Sequence, residues 1–222
     1  MEQLLLRIFS TLTLICILSS AALAQDTKPA TKDTVKAEIN TGFQLYIDYG
    51  KLITVPTDFE TKLEGGFAYR FKNRLSPNLQ IGSAKLQPAQ AIQNGEYTVE
   101  GQYFRVGLDY LLPIDNENLL YIGAKYGASR YEEAGHYMIA SDLWDTYENS
   151  FSRTGLKANW LEIIIGSEKQ LSPVFIAGGY FTLRALLSRD EFEPIDTYAM
   201  PGYGRAFDNT TPALNFYIAL NL

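Results

Sequence analysis

The chain has a single histidine, and it stands among groups that could work with it. His136 lies just ahead of Ser141, Asp142, Asp145 and Ser150 in HYMIASDLWDTYENSFSRTG. Hydroxyl, imidazole and carboxylate are the parts of nucleophilic hydrolysis, provided nucleophile and base touch and a third group orients the base. These spacings form no recognised motif, and a lone histidine in a polar connection is more often a bystander. A second cluster, Asp190, Glu191, Glu193 and Asp196, has the several oxygens a hard cation prefers. Its spacing matches no calcium loop, so a solvated acidic surface is expected there, and no metal or cofactor is expected anywhere. The same stretch carries PGYG at 201–204, where a Pro-Gly pair and a second glycine force a tight path. With Tyr198, Tyr203 and Phe207 to pack it, a structural cap is expected ahead of a contact surface for a partner.

The largest chemical set is dispersed. Asp48, Glu60, Lys62, Glu64, Arg70, Arg105, Asp109, Lys125, Glu162, Glu168 and Arg184 all fall on the polar side of segments whose alternate residues are apolar. Six acids nearly balance five bases. Charges turned into a low-dielectric interior are tolerated when paired, which makes a salt-bridged structural plug the expected arrangement. A narrow gated or proton-conducting path is the functional alternative.

Strands must position these groups. Phe43, Leu45, Ile47 and Tyr49 alternate with Gln44, Tyr46, Asp48 and Gly50. Phe104, Val106, Leu108 and Tyr110 alternate with Tyr103, Arg105, Gly107 and Asp109. The same period of two runs through 59–71, 120–127, 161–168, 175–185 and the closing 212–222, and more weakly through 78–86. Alternation this sustained specifies strands rather than helices. The connections after the second, fourth and sixth segments are short (KNRLSP, PIDNEN, LSP). Those after the third, fifth and seventh are long, roughly 87–96, 132–158 and 188–211, with TVPTD at 54–58 a short exception. Short turns at one end and long loops at the other, with strands near the roughly 9–11 residues of a tilted crossing, are the pattern of a membrane barrel.

The ends agree. MEQLLLRIFSTLTLICILSSAALAQ has a basic start, an apolar core and an Ala-Leu-Ala site, so residues 1–24 are read as a secretory signal peptide. Ile15 before Cys16 argues against a lipoprotein, and the mature chain keeps no cysteine for disulfides or thiol chemistry. Residues 25–40 are polar and aperiodic, a flexible periplasmic leader, and 41–222 form the barrel domain. A net charge of −6 argues against nucleic acid as a partner. The expected fold is all-β, an eight-stranded antiparallel transmembrane β-barrel. Ten strands, should 132–158 add a membrane hairpin, or a soluble barrel are the alternatives; extended strands protruding beyond the membrane suit 132–158 better. Phe216, Ile218, Leu220 and Leu222 form an apolar row that resembles the sorting signal read by barrel-assembly machinery, although that signal usually ends in Phe.

YFRVGLDYLL (103–112), LYIGAKYGAS (120–129), MPGYGRAF (200–207) and the closing NFYIALNL together resemble a family of small outer-membrane β-barrels of Bacteroidota. The resemblance covers nearly all of the mature chain. It implies a small barrel in the bacterial outer membrane and transfers no catalytic or ligand residues. The function expected is structural or interactive: adhesion, envelope integrity, or an accessory subunit. Lipid and the assembly machinery are the expected partners, with a protein partner placed at the outer loops 132–158 and 188–211. A lipid-modifying enzyme using His136 and a narrow transport channel are the alternatives.

Overall fold

The computed structural model describes residues 39–49, 60–88, 91–92, 94–140, 145–193 and 195–222. The expected signal peptide, the leader up to residue 38, TVPTD, Ser141, Asp142 and the Glu60 side chain lie outside the described residues. The strands are β1 (Gly42–Asp48), β2 (Glu60–Arg70), β3 (Leu75–Leu86), β4 (Gly95–Pro113), β5 (Asn118–Ile139), β6 (Tyr147–Gln170), β7 (Phe175–Arg189), β8 (Ala199–Met200), β9 (Gly204–Arg205) and β10 (Thr210–Asn221). Eight of them close a ring in the order β1-β10-β7-β6-β5-β4-β3-β2, while β8 and β9 pair only with each other. Each neighbouring pair is antiparallel. Closure runs from Gln44 opposite Asn221 to Asp48 opposite Tyr217, and the Leu222 N–H donates to the Phe43 carbonyl at 2.9 Å.

The fifth connection is shorter than its polarity suggests. β5 continues to Ile139 and β6 starts at Tyr147, so His136 and Ser150 lie on strands, and 132–158 adds length to two barrel strands rather than a ninth and tenth. The polar residues on both faces are accommodated because this part stands clear of the apolar belt. One face meets water, and the other packs on the β7–β10 connection. β4 rises with it, pairing as far as Gly95 with Tyr137. Opposite Glu132 the β6 chain carries an extra residue, where the register shifts between Tyr131 and Glu133. Gly155, at φ +73°, takes the left-handed conformation that such a bulge requires.

The outward face is apolar. Phe104, Val106, Leu108, Tyr110 and Leu112 on β4 are exposed, as are Leu161, Ile163 and Ile165 on β6 and Leu214, Phe216 and Ile218 on β10. A run of about nine residues at roughly 3.3 Å each, tilted by about 40°, rises about 23 Å, close to the about 25 Å band of outer-membrane barrels. Phe43, Tyr69 and Phe71 stack edge-to-face at 4.7 Å beside the short turns, as an aromatic girdle does. A soluble barrel would turn this face inward; here the polar face fills the bore. Lipid offers no hydrogen-bond partner to a strand edge, which is why the sheet closes on itself.

The short turns are side-chain made. The Asp115 carboxylate accepts from the Glu117 and Asn118 N–H groups at 2.8 and 2.7 Å. The Ser172 hydroxyl accepts from Val174 and Phe175 at 3.3 and 3.0 Å. Inside, apolar packing forms two storeys. Leu111, Tyr121, Ile164, Tyr180 and Tyr217 lie toward these turns; Tyr97, Val99, Tyr103, Trp160, Met200 and Tyr203 lie toward the long connections. Most inward rings lie across a glycine on the neighbouring strand: Tyr46 opposite Gly66, Tyr103 opposite Gly82, Tyr121 opposite Gly166, Trp160 opposite Gly127 and Tyr217 opposite Gly178. At each of these glycines a Cβ would collide with the ring.

Candidate functional site

Between the two storeys lies a charged layer with Arg105 at its centre. Alternation on β4 turns Arg105 inward, and it is wholly buried. Its guanidinium reaches Glu64 at 2.7 Å and Glu162 at 2.8 Å, carboxylates supplied by β2 and β6. Glu64 also takes Lys62 at 2.9 Å and the Tyr103 hydroxyl, which donates at 2.5 Å. Glu162 takes Arg184 at 3.2 Å and accepts from the Trp160 ring N–H at 2.7 Å. The guanidinium of Arg105 lies 4.8 Å from the centre of the Tyr103 ring. Each carboxylate therefore has two cations and a neutral donor, which is what a buried ion needs to offset its lost hydration.

Nearer the short turns, Arg70 pairs with Glu168, which also accepts from the Tyr217 hydroxyl at 2.8 Å. Asp109 accepts from Asn78 at 2.8 Å. The Lys125 ammonium sits 5.1 Å over the Tyr180 ring. Asp48 is buried within the same bore. Five acids (Asp48, Glu64, Asp109, Glu162, Glu168) and five bases (Lys62, Arg70, Arg105, Lys125, Arg184) thus face inward with described side chains, so this part of the bore is neutral. The cavity beside Arg70, Asp109 and Lys125 holds only about 30 Å³, room for a water or two rather than a column.

The PGYG segment completes the filling. Pro201, Gly202 and Tyr203 are buried, and Tyr203 packs edge-on to Trp160 at 5.8 Å. Arg105 donates to the Gly202 carbonyl at 2.8 Å and Arg184 to the Tyr203 carbonyl at 2.7 Å. The cap is therefore driven into the bore and held by the same arginines that order the carboxylates. Gly202 is required twice: its φ is +82°, and a Cβ would lie 2.5 Å from the Tyr103 ring. The sequence implies a cap here but not its anchors, whose signal is the pair of inward arginines, each with donors to spare beyond its carboxylates.

Above the belt, two further arginines fix the same connection. Arg153 pairs with Glu133 at 2.6 Å, donates to the Ile195 carbonyl at 2.8 Å, and lies 4.7 and 4.2 Å from the Phe151 and Phe192 rings. Arg189 grips Asp196 at 2.5 Å, and that contact holds the Asp196 carboxyl below the usual carboxylate range. Asp190 accepts from the Lys157 backbone N–H at 2.8 Å, while Glu191 and Glu193 stay exposed. Of the four acids expected to form a solvated surface, Asp190 and Asp196 are instead used to fold the connection.

His136 is exposed on the outward side of β5, with Glu96 directly opposite on β4 and Ser150 directly opposite on β6. Register thus brings a carboxylate, an imidazole and a hydroxyl into one row, although among the described residues no hydrogen bond joins them. Asp145 lies in the connection beyond. Phe216 and Ile218 sit on the apolar outer face of β10, with Leu220 beside them and Leu222 exposed beyond the strand.

A closed antiparallel ring, apolar outside and ion-paired within, defines a small transmembrane β-barrel with a filled bore. The chain belongs to the family described as Domain of unknown function (DUF6048), whose model matches residues 5–220. Among curated proteins no sequence matches. Solved structures show distant likeness. Neisserial surface protein A (NspA) is 8% identical, with 82% of this chain and 96% of that chain covered at a TM-score of 0.45. Ail, the attachment invasion locus protein of Yersinia pestis, solved with the heparin analogue sucrose octasulfate, is 10% identical, with 82% and 99% covered at 0.42. CarO2 of Acinetobacter baumannii is 12% identical, with 83% and 99% covered at 0.42.

Proposed function

We propose that this barrel stands in a bacterial outer membrane and acts through its outer surface, in adhesion, envelope integrity or as an accessory subunit, with no solute path through its bore. The observation that carries the reading is the bore itself, filled by the Arg105 layer with the PGYG cap packed onto it. The outer surface supports it. β4, β5 and β6 rise beyond the belt as a stiff sheet braced by Arg153, and Met138, Ile139 and Tyr147 are exposed at its tip. The protein reaches the membrane through the general secretory route and is inserted by barrel-assembly machinery that reads the β10 apolar row. The sequence resemblance supports a Bacteroidota source.

Two measurements test this. Purified barrel in planar bilayers should be electrically silent; discrete conductance steps from folded protein would overturn the filled-bore reading. Cells in which Met138, Ile139 and Tyr147 are replaced by Ser should reproduce the envelope or attachment defect of a deletion strain, at an unchanged level of folded barrel. An unaltered phenotype would remove the tip from the reading. One observation favours a lipid-modifying enzyme, the row of Glu96, His136 and Ser150. His136→Ala should leave lipid A and phospholipid profiles unchanged; a change matching that of the deletion strain would establish the enzyme instead.

A further inference from the structure

Outward charges follow an order along the strands that protein pairing does not explain. Arg130 and Lys157 lie directly opposite one another on β5 and β6, and both are exposed. Directly opposed like charges repel across a sheet. Neither side chain takes part in any of the ion pairs found among the described residues. The Asp190 carboxylate nearby is engaged by the Lys157 backbone N–H. The outward acids of these strands lie one step further from the belt: Glu100 and Glu132 also oppose each other, and Glu100 is taken by Lys85 at 3.1 Å. Interleaved signs would be the arrangement for mutual neutralisation. Here the two cations sit together at the top of the belt, one outward position beyond Ala128 and Asn159, and Glu100 and Glu132 sit outside them.

That order matches a lipid surface, where headgroup phosphates lie immediately above the hydrocarbon. We propose that Arg130 and Lys157 hold the phosphate of a lipid headgroup in the leaflet on the side of the long connections. The guanidinium fork suits two phosphate oxygens and the ammonium adds a point charge. Gln102, directly opposite Arg130 on β4, offers a neutral donor. Arg130, Gln102, Thr154 and Gly155 border a groove of about 670 Å³ on the outer wall, which Glu100 and Glu132 also border; the phosphate belongs at the Arg130 side and the rest of the headgroup in the groove. The site rests on the membrane reading above, but not on what the tip binds.

Native mass spectrometry of the barrel released from detergent micelles tests it, with monophosphoryl lipid A, phosphatidylglycerol or inorganic phosphate added in separate arms. A retained phospholipid or lipid A adduct is expected, about tenfold weaker in the Arg130→Gln, Lys157→Gln double variant. Lys72→Gln, which removes an exposed charge beside the short turns, should retain it. Equal loss in Lys72→Gln, or full retention in the double variant, overturns the site. Saturation by inorganic phosphate at the same concentrations would assign it to the free anion and overturn the lipid. Vesicle insertion, and the difference in gel mobility between boiled and unboiled barrel that reports a folded ring, are measured on all variants. A wild-type barrel that fails to insert refutes the membrane reading and this site with it, whereas insertion without a Gln effect refutes the site alone.

Discussion

Replacing Arg105 with Met removes the one group that, among the described residues, touches Glu64, Glu162 and the cap together. Breaking a buried ion pair from one side costs about 3–5 kcal/mol, mainly because the partner charge is left uncompensated. Two carboxylates lose a cation here, but neither is stranded: Glu64 keeps Lys62 at 2.9 Å, and Glu162 keeps Arg184 at 3.2 Å. Those retained contacts place the loss toward the lower end, about 3–4 kcal/mol. The measurement is urea unfolding in phosphatidylcholine vesicles, followed by fluorescence in a Trp144→Phe background. Trp160 then reports the layer directly, through its hydrogen bond to Glu162. Adding Glu64→Gln to the Arg105→Met chain restores neutrality and should recover at least about 1 kcal/mol. A single-variant loss below about 1 kcal/mol, or a double variant less stable than the single, would refute the idea that charge balance around Arg105 holds the bore.

The remaining expectations concern the cap, the belt and the outer connection. Gly202→Ala forces a side chain into a left-handed backbone, worth about 1–2 kcal/mol, and against the Tyr103 ring. It should displace the cap, read as new proteolytic cleavage between 199 and 206 in folded barrel; an uncut cap would count against the anchoring described. Ile163→Arg, on the middle of the outward belt, should cost about 2–4 kcal/mol of stability in a bilayer, and a neutral result would argue against lipid at that face. Asp196 has a lowered carboxyl because Arg189 holds its charged form. Its contribution is therefore complete above the ordinary carboxyl value of about 4 and is lost as pH falls through the lower folded value. Amide exchange over 195–198 should accelerate in that acidic window, and Asp196→Asn should show the faster exchange at neutral pH as well.

The barrel was legible because lipid leaves a strong mark on sequence. Period two separates Phe104, Val106 and Leu108 from Tyr103, Arg105 and Asp109 without ambiguity, since one set meets hydrocarbon and the other a packed bore. The same rule blurs above the belt. There β5 and β6 have water on one face and a folded connection on the other, so Glu132, Ala134 and His136 carry no apolar signal and the strands look like loop. The inward position of the charges could be read from alternation, but their partners could not. Glu64, Arg105 and Glu162 come from three strands, and which of them meet depends on the shear of the ring, a quantity no single strand encodes. For the same reason distance along the chain groups His136 with Asp145, whereas pairing sets it against Glu96.

The rings laid over glycines bear on how that shear is chosen. Sliding one strand by a single residue would turn its apolar row inward, an error the membrane itself rejects. Sliding by two keeps every apolar residue outside and every polar residue inside, so hydrophobicity cannot distinguish it from the correct pairing. Tyr121 would then face Ile164 or Glu168 instead of Gly166, and Trp160 would face Lys125 or Ser129 instead of Gly127. Each of these rings would meet a side chain where it now meets only backbone. The glycines thus work as notches and the rings as teeth, five of them spread over four seams of the barrel, and together they count residues where the greasy exterior can tell only odd from even.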